Sequence, residues 1–156
     1  MRSLRRLLRR ARSTARPTAR PTGRSAPSAG TATSYSPKAD GRPDPGEVVW
    51  GWVPYEDDPQ QGKDRPVLLI GRREELLLGL MLTSKDHDRD AADEARWGRH
   101  WMDVGTGGWD RERRPSEVRL DRLLELAPDA VRREGAALDR AVFDRVVAEA
   151  GRFHTL

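Results

Sequence analysis

The sequence predicts a mainly β domain with one C-terminal helix, folded as a small antiparallel barrel or as a twisted antiparallel sheet. Short apolar segments rich in β-branched and aromatic residues recur between residues 47 and 126. Glycine, proline and aspartate separate these segments, as is typical of short strands joined by turns. A well-defined helical periodicity follows them, at residues 139–150.

The first three apolar segments predict strands. Residues 47–53 carry apolar side chains at alternate positions, and residues 67–70 form an unbroken apolar run that indicates burial on both faces. Residues 75–83 are rich in leucine, which favours a helix by propensity. The short length of this segment and the turns on either side favour a strand.

The second half of the domain predicts two more strands. Residues 84–98 are polar and charged, which indicates a long loop with one helical turn around residues 91–96. Residues 100–104 and 117–126 are predicted as strands, and the glycine-rich residues 105–108 as a hairpin-like connection.

The predicted helix has signals at both ends. Asp139 is suited to be its N-cap, and Leu138 and Phe143 occupy the two positions of a hydrophobic staple. An apolar stripe follows along one face, and Gly151 ends the pattern. This helix is therefore expected to close the sheet.

Charge divides the chain into two unlike parts. Residues 1–39 hold ten arginines or lysines and no acid, whereas residues 40–156 hold nineteen basic and all twenty-five acidic residues, a net of −6. We predict that residues 1–44 form a disordered basic leader rich in arginine, proline and serine, and that residues 45–156 form the domain. A nonspecific nucleic-acid arm, a contact with anionic membranes and a transit peptide stay open for the leader.

The sequence predicts neither a metal nor a cofactor. Cysteine is absent, which excludes disulfides and thiolate metal sites and fits the cytoplasm. Asp86, Asp88 and Asp90 alternate as in a calcium loop, but Ala91 stands at the glycine position and Trp97 at the closing glutamate position. No apolar run approaches the roughly 20 residues of a membrane helix.

Four stretches carry a family resemblance in the expected order. Residues 45–50 are similar to an opening strand G-[DE]-[VI]-[VIL]-W, and residues 60–70 to E-Q-x-G-x-R-P followed by an apolar strand. Residues 80–85 are similar to a strand ending in P-[LIT]-T-[ST]. Residues 116–123 and the last helix fit the C-terminal part of the same pattern. On these motifs the chain resembles the PemK/MazF family of toxins.

The resemblance implies the fold and the activity of that family. It implies an SH3-like antiparallel barrel of the CcdB/PemK type, a homodimer, and a cognate antitoxin as partner, with operator DNA bound in complex with it. It also implies a cytoplasmic endoribonuclease that cleaves single-stranded RNA without metal, leaving a cyclic phosphate and a free 5′-hydroxyl. Gln60 replaces the family's usual glutamate and Leu82 its usual proline, so the activity could be lowered or its sequence preference shifted.

Three residues are candidates for catalysis. RNA transesterification needs positive charge beside the phosphorane as well as a base and an acid. Arg65 is the candidate for that charge, because a guanidinium fork matches phosphate oxygens. Thr83 and Ser84 end a strand, where a hydroxyl can bind phosphate or orient the attacking oxygen, or instead hydrogen-bond its own turn.

Four further residues are candidates for RNA binding: Gln61, Lys63, Lys85 and His87. The two lysines are possible phosphate contacts, although a solvated loop lysine is the ordinary interpretation. His87 has the pKa range that acid–base work requires but matches no family motif.

Two other interpretations stay open at this stage. Trp97, Trp101 and Trp109 could stack unpaired bases, but in a small barrel we expect tryptophans in the core or a dimer interface. The whole domain could also be a non-catalytic module that binds DNA, other nucleic acid or a protein on the same barrel.

Overall fold

The computed structural model describes residues 32–38, 42–86 and 90–156. Within these ranges the chain forms eight strands and two α-helices: β1 (Ala32–Thr33), β2 (Glu47–Pro54), β3 (Gly62–Arg73), β4 (Leu76–Thr83), α1 (Ala91–Arg96), β5 (Trp101–Gly105), β6 (Ser116–Arg119), β7 (Leu124–Leu126), β8 (Val131–Ala137) and α2 (Arg140–Ala150). The predicted mainly β class with a C-terminal helix is confirmed.

The strands form one antiparallel sheet in the order β5-β6-β4-β3-β2-β8, with β1 paired to β3 and β7 paired to β4. Register shifts interrupt the pairing of β2 with β8, of β3 with β4 and of β5 with β6. Such irregularities bend a sheet. The described strands therefore form an open barrel, in which β5 and β8 end the main path without pairing with each other.

Strand β3 lies at the centre of the sheet and is buried on both faces, as its unbroken apolar run predicts. Leu68 and Ile70 pack into a core cluster together with residues of α2. Val67 and Leu69 point the other way, into a second cluster with residues of β2, β4 and β7. Strand β3 is longer than its apolar run, because the residues on both sides of that run continue the pairing with β2 or β4.

Helix α2 covers one face of the sheet. The Asp139 carboxylate accepts hydrogen bonds from the backbone N–H groups of Ala141 and Val142, at 2.9 and 3.3 Å, and so caps the first turn. Phe143, Val146 and Ala150 are buried in the larger core cluster. The predicted cap and the buried stripe are both confirmed.

One prediction about the second half of the domain was wrong, and one strand was not predicted. Residues 117–126 form two strands, β6 and β7, because the chain turns at residues 120–123 and β7 moves to a different stretch of β4. Strand β8 was not predicted, since its sequence Val-Arg-Arg-Glu-Gly-Ala-Ala lacks apolar alternation. It exists because β2 offers an unpaired edge.

Part of the predicted leader packs onto the domain. Residues 32–38, here called the N-terminal strap, begin with β1, which pairs with the end of β3 at Gly71 and Arg72. The strap backbone lies so close that a Cβ at Gly71 would overlap the Ala32 carbonyl oxygen. The prediction of disorder therefore does not apply to the strap. Residues 1–31 and 39–41 of the predicted leader lie outside the described residues.

Tyr35 anchors the strap to the C-terminal helix. Its ring packs 5.1 Å from that of Phe143, and its hydroxyl donates a 2.7 Å hydrogen bond to the Leu138 carbonyl oxygen. Gly46 makes room for the ring, because a Cβ there would lie 2.7 Å from it. The strap is thus built into the core cluster.

Tyr35→Phe should lower the free energy of unfolding by about 1 kcal/mol, since it removes one hydrogen bond and keeps the ring. Urea unfolding would measure the change. Tyr55→Phe is the matched control, because the Tyr55 ring is exposed and its hydroxyl has no hydrogen bond to the described residues. Equal effects of the two substitutions would contradict an anchoring role for the Tyr35 hydroxyl.

Candidate functional site

The register between β3 and β4 brings Arg65 to Thr83. Val67 pairs with Met81, and in an antiparallel ladder a step back along one strand matches a step forward along the other. Continuing the ladder by two residues therefore places Arg65 opposite Thr83, the last residue of β4. On the other side of β3, Arg65 faces Gly51, which has no side chain to occupy the neighbouring space.

These residues line a cleft of about 260 Å³, here called the first cleft. Arg65, Thr83 and Ser84, the three predicted catalytic residues, all line it. Lys63 lies on the same side as Arg65, and residues of the loop between β5 and β6 form part of the wall. The structure thus brings together the residues that the motifs single out.

Arg65 is a half-buried cation without a charged partner among the described residues. The neighbouring Asp64 pairs instead with Arg132, at 2.7 Å. A guanidinium that is partly desolvated and unpaired favours an incoming anion, because burial has already removed some of its water. Arg65 thus brings an unpaired positive charge to the lining of the first cleft.

The Thr83 hydroxyl already has one local hydrogen bond. It accepts a 3.2 Å bond from the backbone N–H of Lys85, which closes the turn after β4. The hydroxyl proton is still able to donate, since the bond uses only a lone pair. Ser84 follows in an exposed position. Thr83 therefore stabilises the turn after β4, as its position at the strand end allows. Its catalytic role stays a prediction.

A chain of hydrogen bonds holds the wall of the first cleft. The Trp50 indole N–H donates to the Trp109 carbonyl oxygen at 3.0 Å, and the Trp109 indole N–H donates to the Ser116 hydroxyl at 3.1 Å. Trp109 is buried, so its expected core position is confirmed, whereas Trp97 is 75% exposed and does not belong to the core. The loop of residues 106–115 is thereby fixed to β2 and β6.

The same wall carries an ion pair between Arg114 and Asp110. The Arg114 Nε lies 2.9 Å from an Asp110 carboxylate oxygen. This hydrogen bond lowers the pKa of Asp110 below its ordinary value, against the opposing effect of burial. Asp110 also accepts the backbone N–H of Glu112 at 2.9 Å, so the carboxylate organises the turn.

A second cleft, of about 340 Å³, lies on the other side of Arg65. Arg65 shares it with Arg99, Arg119 and Arg122 and with the carboxylate of Glu56. Arg122 donates a 2.7 Å hydrogen bond to the Pro54 carbonyl oxygen and has no carboxylate partner among the described residues. Desolvation lowers its pKa, and the positive charge of Arg65 acts in the same direction. Two unpaired guanidinium groups therefore line the second cleft.

Arg119 is the buried centre of this cleft. Only 7% of its side chain is exposed, and it pairs with Asp121 at 2.8 Å and with Glu56. Burial alone would raise the pKa of Asp121, but hydrogen bonds from Arg119 and from the His100 backbone N–H outweigh it and lower the pKa. The pair ties the turn after β6 to the loop after β2.

The predicted RNA-binding residues lie in different places. Lys63 lines the first cleft, and Lys85 lines an adjoining cleft next to Ser84. Gln61 is exposed in the turn before β3 and lines none of the described clefts. His87 lies outside the described residues.

Sequence reasoning missed the loop wall and the basic residues of the second cleft. Arg119 and Arg122 lie in a predicted strand and in the C-terminal part of the family pattern, but neither was singled out as a site residue. Arg114 was only one of several arginines in an arginine-rich chain. Buried charge is the signal that distinguishes Arg119, and burial is not visible in a sequence. Within the described residues, no three His, Asp or Glu side chains converge as a metal site requires.

The open antiparallel barrel with its C-terminal helix places the protein in the CcdB/PemK-type fold class. Residues 44–153 match the family model of the PemK-like, MazF-like toxins of type II toxin–antitoxin systems. The match spans most of the chain, so the chain belongs to this family, and the predicted resemblance is confirmed.

The chain is also similar to the crystal structure of MazE-MazF (Form-II) from Deinococcus radiodurans, with a TM-score of 0.46 and 19% identity, covering 70% of this chain and 93% of that chain. No curated protein matches the sequence significantly. Neither helix of the described part of the chain is long and apolar enough to cross a membrane.

Asp121→Asn should lower the free energy of unfolding at pH 7 by about 2 kcal/mol, because it removes the charged partner of a buried guanidinium. The pKa of Asp121 is lower in the folded chain than its ordinary 3.8. Its contribution is therefore present above about pH 4 and is lost as the pH falls through the folded value. Urea unfolding at pH 7, 5, 4 and 3 should show the difference from wild type shrinking with acid.

Asp93→Asn is the control for this experiment. Asp93 forms an exposed ion pair with Arg96, at 3.6 Å, so its loss should change stability by less than about 0.5 kcal/mol at any pH. A difference between Asp121→Asn and wild type that is as large at pH 3 as at pH 7 would rule out the proposed linkage.

Proposed function

We propose that the chain is the toxin of a type II toxin–antitoxin system and acts as a sequence-selective, metal-independent endoribonuclease on single-stranded RNA. The observation that carries the proposal is the unpaired Arg65 guanidinium, half-buried beside the strand-end hydroxyls of Thr83 and Ser84. Membership of the toxin family supports the same function.

The proposed reaction is an internal transesterification. The 2′-oxygen of one nucleotide attacks the adjacent phosphorus and gives up its proton to a base. The bond from phosphorus to the 5′-oxygen breaks, and that oxygen takes a proton from an acid. The products are a 2′,3′-cyclic phosphate and a 5′-hydroxyl, and no oxidant or water is consumed.

Arg65 is assigned to the charge that develops on the phosphorane oxygens. An oriented guanidinium is most effective in a partly desolvated site, where few waters compete for the phosphate. Thr83 and Ser84 are assigned to positioning, since their hydroxyls can donate to a phosphate oxygen or orient the 2′-oxygen. Lys63 adds charge at the side of the same cleft.

Glu56 is the carboxylate that we assign to proton transfer. It lines the second cleft together with Arg65 and is 52% exposed, so a bound nucleotide can reach it. Its hydrogen bond to Arg119 fixes its position. Because the second cleft shares Arg65 with the first, we assign this carboxylate as the general base.

The partners follow from the same proposal. We infer a cognate antitoxin as the protein partner, operator DNA bound in complex with it, a homodimer as the active form, and the cytoplasm as the location. The family description supports the antitoxin.

A non-catalytic module that binds nucleic acid, such as DNA, or a protein is the second candidate. Asp110, a carboxylate that lines the first cleft, is held by Arg114, and this hydrogen bond lowers its pKa. A carboxylate with a lowered pKa is a weaker base, which favours binding without cleavage.

Arg65→Ala should lower the rate of RNA cleavage by about 10²–10³-fold, the usual effect of removing one group that stabilises the transition state. The measurement is cleavage of a mixed single-stranded RNA in the presence of EDTA, with the new ends tested for a 5′-hydroxyl and a cyclic phosphate. Arg96→Ala is the control, because Arg96 is exposed and lines none of the described clefts.

Inert wild-type protein on diverse RNAs would reject the enzymatic proposal. Binding of RNA or DNA without cleavage, unaffected by Arg65→Ala, would support the second candidate instead. Substrates with a 2′-deoxy sugar at the cleavage position should resist cleavage, since the attacking oxygen is missing.

Thr83→Val should lower the cleavage rate by about tenfold or more while Thr83→Ser keeps most of it, since only the serine variant retains a hydroxyl. Both variants remove or alter the hydrogen bond from Lys85, so thermal unfolding should be measured alongside. A valine variant with the wild-type cleavage rate would leave Thr83 with its structural role alone.

A further inference from the structure

A third cleft adjoins the first on the far side from Arg65. It has a volume of about 610 Å³ and is lined in part by Arg111, Arg114 and Arg132. Trp50 and Arg114 line both the first and the third cleft. The two clefts are therefore continuous, and Arg114 lies at their junction.

The contacts of Arg114 leave its terminal nitrogens able to bind a ligand. Its Nε lies 2.9 Å from Asp110 and 3.3 Å from Glu112. The side-chain hydrogen bond that it donates to the described residues comes from Nε. The side chain is 53% exposed. Asp110 thus holds the guanidinium through Nε, while about half of the side chain is exposed to solvent.

The charge of the two clefts suits a polyanion. Together they are lined by five basic residues and three acidic ones, although residues 40–156 as a whole carry a net charge of −6. The lining of the two connected clefts thus carries an excess of positive charge, opposite in sign to the net charge of residues 40–156. A local excess of this kind, within an acidic domain, indicates a binding surface for phosphates.

We propose that Arg114 forms a second phosphate subsite, which binds a phosphate of the RNA strand next to the one held at Arg65. The strand then runs from the first cleft past Trp50 into the third cleft. Arg114 binds the phosphate through its terminal nitrogens, and Asp110 is the positioning residue that orients it. The identity of the polyanion as RNA rests on the proposed function.

The test measures binding separately from cleavage. The probe is a single-stranded 2′-O-methyl RNA oligonucleotide, which cannot be cleaved because its 2′-oxygen carries no proton. Its affinity is measured at several salt concentrations for wild type, Arg114→Ala, Arg65→Ala and Arg152→Ala. Arg152→Ala is the matched control, since Arg152 is exposed, pairs with Glu149 at 3.2 Å and lines none of the described clefts.

Arg114→Ala should weaken binding about tenfold at 0.1 M salt. It should also reduce the slope of log affinity against log salt by about 0.7, the loss of one phosphate contact on a single strand. Arg114→Lys should keep the salt slope while losing part of the affinity, because a point charge replaces the fork. Glu112→Gln should tighten binding, as it removes an exposed carboxylate beside Arg114.

Asp110→Asn should leave the Arg114 side chain less well oriented, because it removes the charged partner of Nε. It should weaken RNA binding less than Arg114→Ala does, and the salt slope should stay near that of wild type. The second phosphate subsite would be overturned if Arg114→Ala bound RNA with the affinity and salt slope of wild type while Arg65→Ala bound it more weakly. That result would leave the proposed function standing. Absence of RNA binding by wild type would overturn both.

Discussion

The pairing register of β3 with β4 is the constraint on which the candidate site depends. Two core clusters bury alternate residues of both strands, and this burial sets the register in which Val67 pairs with Met81. A slip of one residue would move every apolar side chain of a strand to the wrong face, so the register is strongly held. Arg65 and Thr83 lie at the end of this ladder, and they meet because the core behind them allows no other pairing.

Ion pairs then fix the loops around that strand end. Arg119 joins the loop after β2 to the turn after β6 through Glu56 and Asp121, and Asp110 holds Arg114 in the wall of the first cleft. Buried charge contributes little net stability when both partners are desolvated. The ion pairs here define geometry. They leave Arg65 and Arg122 as half-buried arginines of the clefts that have no carboxylate partner among the described residues.

Much of the fold was predictable because it rests on local signals. The alternation in residues 47–53, the apolar run of residues 67–70 and the Asp139 cap each depend on near neighbours in the chain. Strand β8 and the N-terminal strap were not predictable, because they form only where β2 and the end of β3 offer unpaired backbone groups. The sequence singled out Arg65, Thr83 and Ser84 as candidates, and the structure brings them to one cleft, whereas it did not single out Arg114, Arg119 or Arg122.

The sequence by itself determined the class of fold, the family and the motif that contains Arg65, because apolar spacing and short motifs are local properties of the chain. Tertiary structure alone decided that Arg65 is unpaired and shared by two clefts, and that part of the predicted leader packs onto the domain. It also decided that an acidic domain lines two connected clefts with an excess of basic residues. The reason is that burial, pairing and electrostatic environment depend on segments far apart in the chain, such as β2, β6 and the loop of residues 106–115.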